Sequence, residues 1–304
     1  MLKPQNFRNL TLSLTSTTLD FDKGTAAWLA CNKTDNKIAN GIHFATANGF
    51  AASTYLPFLN LLNEHYAVSS MDNRGAWNPR NKPPFFFGMP GFANDWIKGI
   101  RKNLKEPVIG VGHSHGAQVT LAAALQAPEL FTKLILIEPA TLPYAYLDNI
   151  YRFIPKHLMH GLFPFIRRTS ARQKVWPSRE AFSKRYQNHP TFRLFTDESF
   201  KAYVKHGLRA TNNGEFELVF DPIWESYIFR KIRFLWFYLE KTQHPTLLIR
   251  GAQSTLISSE TFTKHNSRLN NNVDVIELEN AHHLLPQEQP ERIAKIIHDW
   301  LGGS

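Results

Sequence analysis

The sequence predicts an α/β protein built on a mostly parallel, doubly wound sheet, with a long helical insertion. Short apolar runs typical of buried strands alternate with segments typical of helices, which favours a parallel sheet covered on both faces. The alternation stops between residues 141 and 243, where helical, aromatic and basic sequence is punctuated by prolines, and then resumes. We therefore expect a core formed by residues 1–140 and 244–304 and a helical cap formed by 141–243.

The first elements are expected to be three strands and a helix. Alternating leucines over residues 10–14 predict a strand with one buried face, and a turn at 22–24 leads to a returning strand over 25–31. Residues 42–46 predict a third strand, and a helix is expected over 53–62.

The loop before that helix contains Asn48-Gly49, a common turn sequence. The next expected strand, over 66–71, ends in Asp72, with Arg74 two residues further on. We interpret Asp72 and Arg74 as structural residues that brace neighbouring loops through charge-assisted hydrogen bonds.

The stretch 108–125 is the most informative part of the chain. After an expected helix over 92–104, an apolar run leads into the pentapeptide 112–116, Gly-His-Ser-His-Gly, and a helical segment follows. Strand, tight turn and helix are the context that a nucleophile elbow needs, and the two glycines leave room for close strand–helix packing. The pattern therefore predicts Ser114 as a nucleophile.

A glycine-rich dinucleotide-binding turn is the competing interpretation of the same stretch. Glu138, at the end of an expected strand over 134–137, would then be the acid that binds a ribose. The glycine spacing differs from G-x-G-x-x-G, and several expected strands precede the stretch, whereas such a turn usually follows the first strand. We therefore favour the nucleophile elbow.

The insertion 141–243 carries most of the net charge of +10, because it contains 17 Lys or Arg and 9 Asp or Glu residues. It also holds 22 of the 39 aromatic residues. Positive charge of this size raises nucleic acid, anionic lipid or an anionic substrate as partners. We find neither a nucleic-acid-binding motif nor a dense basic run, so we expect no nucleic-acid partner, and a solvated basic surface is the alternative.

Composition excludes several other classes. A single cysteine, Cys31, rules out a disulfide framework and favours a reducing compartment, so we expect a cytoplasmic protein. Neither a secretory signal nor an uninterrupted apolar run of about 18 residues is present, so we expect no integral membrane segment. No cluster has metal-ligand spacing, and we expect neither metal nor cofactor.

Beyond the insertion, the strand–helix alternation returns. It predicts a strand over 245–251, a helix over 259–269, a strand over 273–278 and a final helix from Pro290 onward. The final helix has an apolar stripe, formed by Ile293, Ile296, Ile297, Trp300 and Leu301. His282 and His283 lie in the loop before it.

Five motifs in a fixed order make the chain resemble the α/β-hydrolase family over nearly its whole length. They are Asn48-Gly49-Phe50 where the family usually has His-Gly, Asp72-x-Arg74-Gly75, Gly112-x-Ser114-x-Gly116, Arg250-Gly251, and His283 with Glu288 and Pro290 behind it. The cap is similar to that of a subgroup containing bacterial hydrolases of unassigned substrate and fungal acyl-CoA hydrolases.

The resemblance implies an α/β-hydrolase fold in which the nucleophile comes first and the catalytic histidine last. His283 matches that histidine because its spacing to Glu288 and Pro290 fits the family pattern. His282 takes a place usually held by glycine, which leaves it as the alternative. The implied oxyanion hole uses the backbone N–H groups of Phe50 and His115.

The acid that should orient His283 departs from the family pattern. The family usually places an aspartate shortly after the strand that corresponds to 245–251, and residues 252–255 contain no carboxylate. Glu138 can replace it if the strands before Glu138 and before Ser254 are sheet neighbours. The alternatives are a Ser-His dyad supported by Ser254, or a Glu138 that only anchors the cap.

These residues predict a serine hydrolase that acts on carboxylic esters through an acyl-enzyme. Acyl thioesters, including acyl-CoA, and carbon–carbon bonds are alternative substrates, and a ligand-binding member without turnover is the non-enzymatic alternative. The aromatic cap predicts an apolar binding surface, for which we select Phe195, Trp224 and Phe237. The expected partner is a small-molecule ester or thioester, and the oligomeric state stays open.

Overall fold

A computed structural model describes residues 14–31, 41–84, 86–142, 144–148, 154, 156–267 and 269–302, with the backbone alone at positions 156, 157 and 160. Its strands are β1 Leu14–Phe21, β2 Gly24–Cys31, β3 Ile42–Ala45, β4 Val68–Met71, β5 Val108–His113, β6 Phe131–Ile137, β7 Val175–Trp176, β8 Leu208–Ala210, β9 Phe216–Leu218, β10 Thr246–Gly251 and β11 Val273–Leu278. Residues 10–13 of the first expected strand lie outside the described residues.

Helices separate most of these strands. They are α1 Leu56–Asn63, α2 Met89–Asn103, α3 His115–Gln126, α4 Lys156–Leu162, α5 Pro164–Ser170, α6 Arg179–Tyr186, α7 Asp197–His206, α8 Pro222–Phe229, α9 Trp236–Leu239, α10 Ser259–Asn266, α11 Leu285–Glu288 and α12 Pro290–Trp300. The helix expected over 53–62 begins as a 3-10 turn, Ala52–Tyr55, and continues as α1.

Eight strands form one sheet in the order β1-β2-β4-β3-β5-β6-β10-β11. The pairs β1–β2 and β2–β4 are antiparallel and the remaining pairs are parallel. The predicted mostly parallel sheet is therefore confirmed, and its carboxyl-terminal edge brings the ends of β5, β6 and β10 side by side.

Helices cover both faces of the sheet, as the doubly wound pattern predicts. In β6, Leu134 and Leu136 belong to one apolar cluster and Ile135 and Ile137 to the other. The first cluster includes residues of α2 and α3, and the second includes residues of α1 and α12. Alternate side chains of a strand point to opposite faces, so the apolar run of β6 is buried on both sides.

The insertion between β6 and β10 contains α4 to α9 and also a small antiparallel sheet in the order β7-β9-β8. The sequence pattern indicated helices alone. The strands β8 and β9 pair across the turn at Asn212-Asn213-Gly214, where Gly214 has a φ of 79°. Asn and Gly favour such turns, and this local signal was outweighed by the surrounding helical pattern.

None of the helices in the described parts of the chain is both long enough and apolar enough to cross a membrane.

Candidate active site

Ser114 lies on the sharp turn between β5 and α3, with a φ of 55° and a ψ of −116°. Positive φ is unfavourable for a residue with a Cβ, so the surrounding structure must hold this turn. The Ser114 N–H donates to the carbonyl of Ile137 at 2.9 Å, and the N–H of Ala140 donates to the Ser114 carbonyl at 3.1 Å. The turn is thus fixed to the end of β6.

The glycines on either side of Ser114 allow close packing around the turn. A Cβ on Gly116 would lie 2.2 Å from the Ala45 carbonyl oxygen at the end of β3, and one on Gly112 would lie 2.5 Å from the Gly116 carbonyl oxygen. Side chains at these positions would push α3 away from the sheet and move Ser114 with it.

The structure brings Ser114, His283 and Glu138 together in a line. The His283 Nε2 atom is 2.9 Å from the Ser114 Oγ atom, and the His283 Nδ1 atom is 3.1 Å from Glu138 Oε2. The two ring nitrogens therefore face a hydroxyl on one side and a carboxylate on the other. His282 points elsewhere, with its Nδ1 atom 3.6 Å from Glu288 Oε2.

Glu138 is fully buried, yet its carboxylate has several hydrogen-bond donors. Gly251 donates its N–H to Oε1 at 2.6 Å, and the Ser254 hydroxyl donates to Oε2 at 2.6 Å. This is possible because β6 and β10 are neighbours, with Ile137 opposite Ile249. The donors offset the cost of burying the carboxylate. The Ser254 hydroxyl contacts Glu138 and thereby supports the acid.

His113, directly before Ser114, connects two loops of the site. Its Nε2 atom is 2.8 Å from the His283 carbonyl oxygen, and its Nδ1 atom is 2.7 Å from the Tyr55 hydroxyl. Because a carbonyl only accepts, the proton must be on Nε2, and the Tyr55 hydroxyl donates to Nδ1. That hydroxyl accepts the N–H of Ala47 at 3.1 Å.

Burial lowers the pKa of His113 to about 3, with the nearby His283 adding to the effect, so its imidazole is neutral near pH 7. Sequence reasoning did not single out His113 or Tyr55. The available signal was a histidine at the end of the otherwise apolar strand β5, where an unpaired imidazole would be costly.

The two residues expected to form an oxyanion hole follow neighbouring strands, with Phe50 in the loop after β3 and His115 just after β5. His115 is the first residue of α3, where backbone N–H groups have no acceptor within the helix. The Phe50 N–H donates a long bond of 3.3 Å to the Ala47 carbonyl. A ligand oxygen would have to share or replace that bond.

Asp72 and Arg74 hold loops near the site, as interpreted from the sequence. The Asp72 carboxylate accepts the N–H of Ala52 at 2.7 Å, and Arg74 forms two bonds to Asp95, of 2.5 and 2.8 Å. Burial raises the pKa of Asp72 to about 7, with the bond from Ala52 opposing the shift.

The insertion contacts the loop Asn48–Phe50 through α8. The Asn48 side-chain amide donates to the backbone carbonyl of Glu225 at 2.9 Å. Gly49, with a φ of 88°, lies so close to α8 that a Cβ would be 3.0 Å from Glu225 Oε1. Burial raises the pKa of Glu225, and Arg172 opposes the shift.

A second contact from the insertion comes from α7. The Tyr203 ring packs edge-on against Phe50, with centroids 5.2 Å apart. Arg172 joins the two contacts, because it donates to Glu225 Oε2 at 2.9 Å and to the Tyr203 hydroxyl at 3.3 Å. We call Arg172, Tyr203 and Glu225 the arginine clamp.

The three aromatic residues predicted to bind substrate lie at different distances from Phe50 and His115. Phe195 is beside Phe50, with ring centroids 6.4 Å apart. Trp224 is separated from His115 by the ring of Phe92, which contacts both.

Phe237 lies apart from these contacts. Its ring packs on Phe234, and 46% of the residue is exposed. The described contacts do not bring Phe237 to Ser114. Helical aromatic sequence alone could not distinguish a residue at the site from one on another surface of the insertion.

Among the described residues, no group of three or more His, Cys, Asp or Glu side chains is arranged to hold a metal ion.

The fold and the motifs agree with a comparison of the sequence with protein families. Residues 42–296 match the model of the alpha/beta hydrolase family. The chain therefore belongs to this family.

Individual relatives are more distant. The chain is 25% identical over 272 residues to an uncharacterized hydrolase, YugF, of Bacillus subtilis, covering 86% of this chain and 88% of that protein. It is 36% identical over 87 residues to the type I acyl-CoA thioesterase mpaH of Penicillium roqueforti, but this match covers only 28% of the chain and 18% of the thioesterase.

A similar solved structure is that of E-2-(acetamidomethylene)succinate hydrolase, with a TM-score of 0.75 and 19% sequence identity, covering 96% of this chain and all of that one. At this identity the likeness shows the shared fold.

Proposed function

We propose that the protein is a serine hydrolase that cleaves carboxylic esters through an acyl-enzyme, with Ser114, His283 and Glu138 as its triad. The observation that carries the proposal is the continuous contact from the Ser114 hydroxyl through both nitrogens of His283 to the buried Glu138 carboxylate. Family membership supports hydrolysis as the reaction class.

The first half-reaction transfers the acyl group to Ser114. His283 Nε2 takes the hydroxyl proton while Oγ attacks the ester carbonyl carbon, and Glu138 stabilises the resulting imidazolium through Nδ1. The carbonyl oxygen becomes negatively charged and accepts N–H bonds from His115 and Phe50. The tetrahedral intermediate then expels the alcohol, which receives the proton from His283.

The second half-reaction releases the acid. A water molecule gives a proton to His283 Nε2 and attacks the acyl carbon, and collapse of the intermediate breaks the bond to Ser114 Oγ, which regains the proton. Each turnover consumes one water and requires no cofactor.

The insertion 141–243 acts in this proposal as a cap that helps to select the acyl group. Phe195 supports this role because it lies beside Phe50. The single cysteine, Cys31, favours a cytoplasmic location for the enzyme.

Acyl thioesters are the second candidate class. The partial similarity to an acyl-CoA thioesterase and the basic insertion, which would suit the phosphates of coenzyme A, both favour it. Carbon–carbon bonds rank third, because no residue contact specifically favours them.

A matched panel of substrates tests the proposal. The purified protein is assayed with p-nitrophenyl esters and with acyl-CoA thioesters of two to twelve acyl carbons, next to Ser114→Ala. We expect higher kcat/KM on esters, with turnover lost by a factor of about 10³ or more in Ser114→Ala. Higher kcat/KM on acyl-CoA selects the thioesterase alternative. A protein that binds substrate but shows neither turnover nor labelling by a fluorophosphonate probe selects the non-enzymatic alternative.

A further inference from the structure

The helices α4 and α5 and the turn that joins them at Phe163 expose an unusual set of apolar side chains. Leu158 is 51% exposed, Leu162 is 64% exposed and Phe165 is 43% exposed. Leu158 and Leu162 are four residues apart on α4 and so lie on one face of that helix. Clustered exposed apolar residues, unlike single ones, indicate a surface that contacts something else.

An adjacent side of the same segment is buried. Met159 in α4 and Ile166 in α5 are fully buried, and α5 packs against α8. The segment is therefore amphipathic, with one side anchored in the protein and the other facing solvent.

The charge of this part of the chain is strongly one-sided. Residues 149–179 contain seven Lys or Arg and no Asp or Glu. Of these basic residues, Arg172 pairs with Glu225 and Lys174 with Asp221. Arg167 and Arg168 follow the apolar side chains in α5, are exposed, and form no ion pair within the described part of the chain.

We propose that this α4–α5 surface binds an anionic lipid membrane, with Leu158, Leu162 and Phe165 inserted at the interface and Arg167 and Arg168 on the lipid headgroups. Exposed apolar side chains beside unpaired arginines are the combination that favours binding to an anionic membrane surface. A symmetric contact with the same surface of a second copy would need acidic residues opposite Arg167 and Arg168, and residues 149–179 supply none.

The position of this surface connects it to the candidate active site. Only Ala171 separates the end of α5 from Arg172, and Arg172 contacts Glu225 beside the loop Asn48–Phe50. A membrane bound at α4–α5 would therefore lie on the part of the insertion that contacts the loop Asn48–Phe50 through Glu225. The binding inference itself does not depend on the proposed catalytic function.

Vesicle flotation tests the proposal with the full chain. We expect the wild type to float with vesicles of phosphatidylcholine and phosphatidylglycerol at low salt, to float much less with phosphatidylcholine alone, and to be released by 0.5 M NaCl. Leu162→Ser should weaken the partition on the order of five-fold or more, while Leu256→Ser, also at an exposed leucine, should leave it unchanged.

A second matched pair tests the charges. Arg167→Gln/Arg168→Gln should weaken partition on the order of ten-fold, and Lys102→Gln/Lys105→Gln, with the same change of net charge at two exposed lysines on another surface, should change it much less. Circular dichroism and melting temperature verify that each variant is folded.

Several outcomes would overturn the proposal. They are an absence of flotation by the folded wild type, equal binding to neutral and anionic vesicles, and equal effects of the test and control variants. A concentration-dependent dimer that Leu162→Ser abolishes, without flotation, would assign the surface to a second copy of the chain.

Discussion

The position of the Glu138 carboxylate beside His283 follows from which strands are neighbours in the sheet. Residues 252–255, directly after β10, contain no acid, but β6 lies beside β10, and a glutamate at the end of β6 reaches the His283 ring. The sequence could suggest this position because parallel neighbouring strands end at the same edge of a sheet. It could not reveal that Gly251 and Ser254 both donate to the carboxylate.

Glu138→Gln tests the role of the acid. We expect kcat to fall by roughly 10²–10⁴, because a neutral amide cannot stabilise the charged imidazole and favours the wrong tautomer. Ser254→Ala is the control, because it removes one donor to Glu138 while the carboxylate and the Gly251 bond remain. Steady-state kinetics on the best ester would contradict the assignment if the two variants lost similar activity.

The contacts of His113 and Tyr55 could not be predicted from the sequence. His113 joins the end of β5 to the carbonyl of His283, 170 residues later in the chain, and to the hydroxyl of Tyr55. Such a contact depends on where two loops meet in three dimensions, and no spacing rule in the sequence encodes it. The roles expected of Ser114 and His283 were accessible because family motifs mark both positions.

At the scale of elements, the arginine clamp links α7 and α8 to the loop Asn48–Phe50. Arg172→Met should lower kcat on small esters on the order of ten-fold with little change in KM, because the loop would no longer be held in position. It would also leave the buried Glu225 carboxylate without its partner and reduce stability.

A double variant separates these two effects. Arg172→Met/Glu225→Gln removes the unpaired charge, so melting temperature should recover while kcat stays low. If kcat recovers together with melting temperature, the clamp contributes only to folding.

Phe195, which contacts Phe50 from the insertion, should also influence substrate choice. Phe195→Ala should change the ratio of kcat/KM between short-chain and long-chain p-nitrophenyl esters by about ten-fold, because its ring lies beside Phe50. Phe237→Ala is the matched comparison, since that ring packs on Phe234. A larger selectivity change in Phe237→Ala would place the acyl group on a different surface.

Elements of the core were predictable because their apolar patterns are strong. The expected strand at 273–278 matches β11, and the expected helix at 92–104 differs from α2 by a few residues. The small sheet of the insertion was missed because its strands have only two or three residues each. Strands of that length have no measurable period in the sequence.

At the scale of the whole molecule, buried histidines should make the fold sensitive to acid. Burial lowers the pKa of His43, like that of His113 and His115, to about 3. The unfolded chain has the ordinary histidine pKa of 6.5, so between these values it binds more protons than the native state. Stability should therefore fall as pH decreases from 6.5 towards 3.

His43→Phe isolates one of these groups away from the candidate site. The His43 ring stacks on Trp28, and phenylalanine can keep that contact. Relative to the variant, the wild type should lose about 1.4 kcal/mol of unfolding free energy per pH unit between pH 6 and pH 4. Urea unfolding at several pH values measures this difference, and parallel stability curves for the two proteins would disprove the role of His43.

The most direct test of the account is covalent labelling of Ser114. The wild type is incubated with a fluorophosphonate probe, and intact mass and peptide mapping follow the adduct. We expect one adduct per chain on the peptide that contains Ser114, none in Ser114→Ala, labelling at least about 10²-fold slower in His283→Ala, and nearly normal labelling in His282→Ala. A wild type that stays unlabelled, or a Ser114→Ala variant labelled as fast as the wild type, would contradict the proposal that Ser114 is the nucleophile.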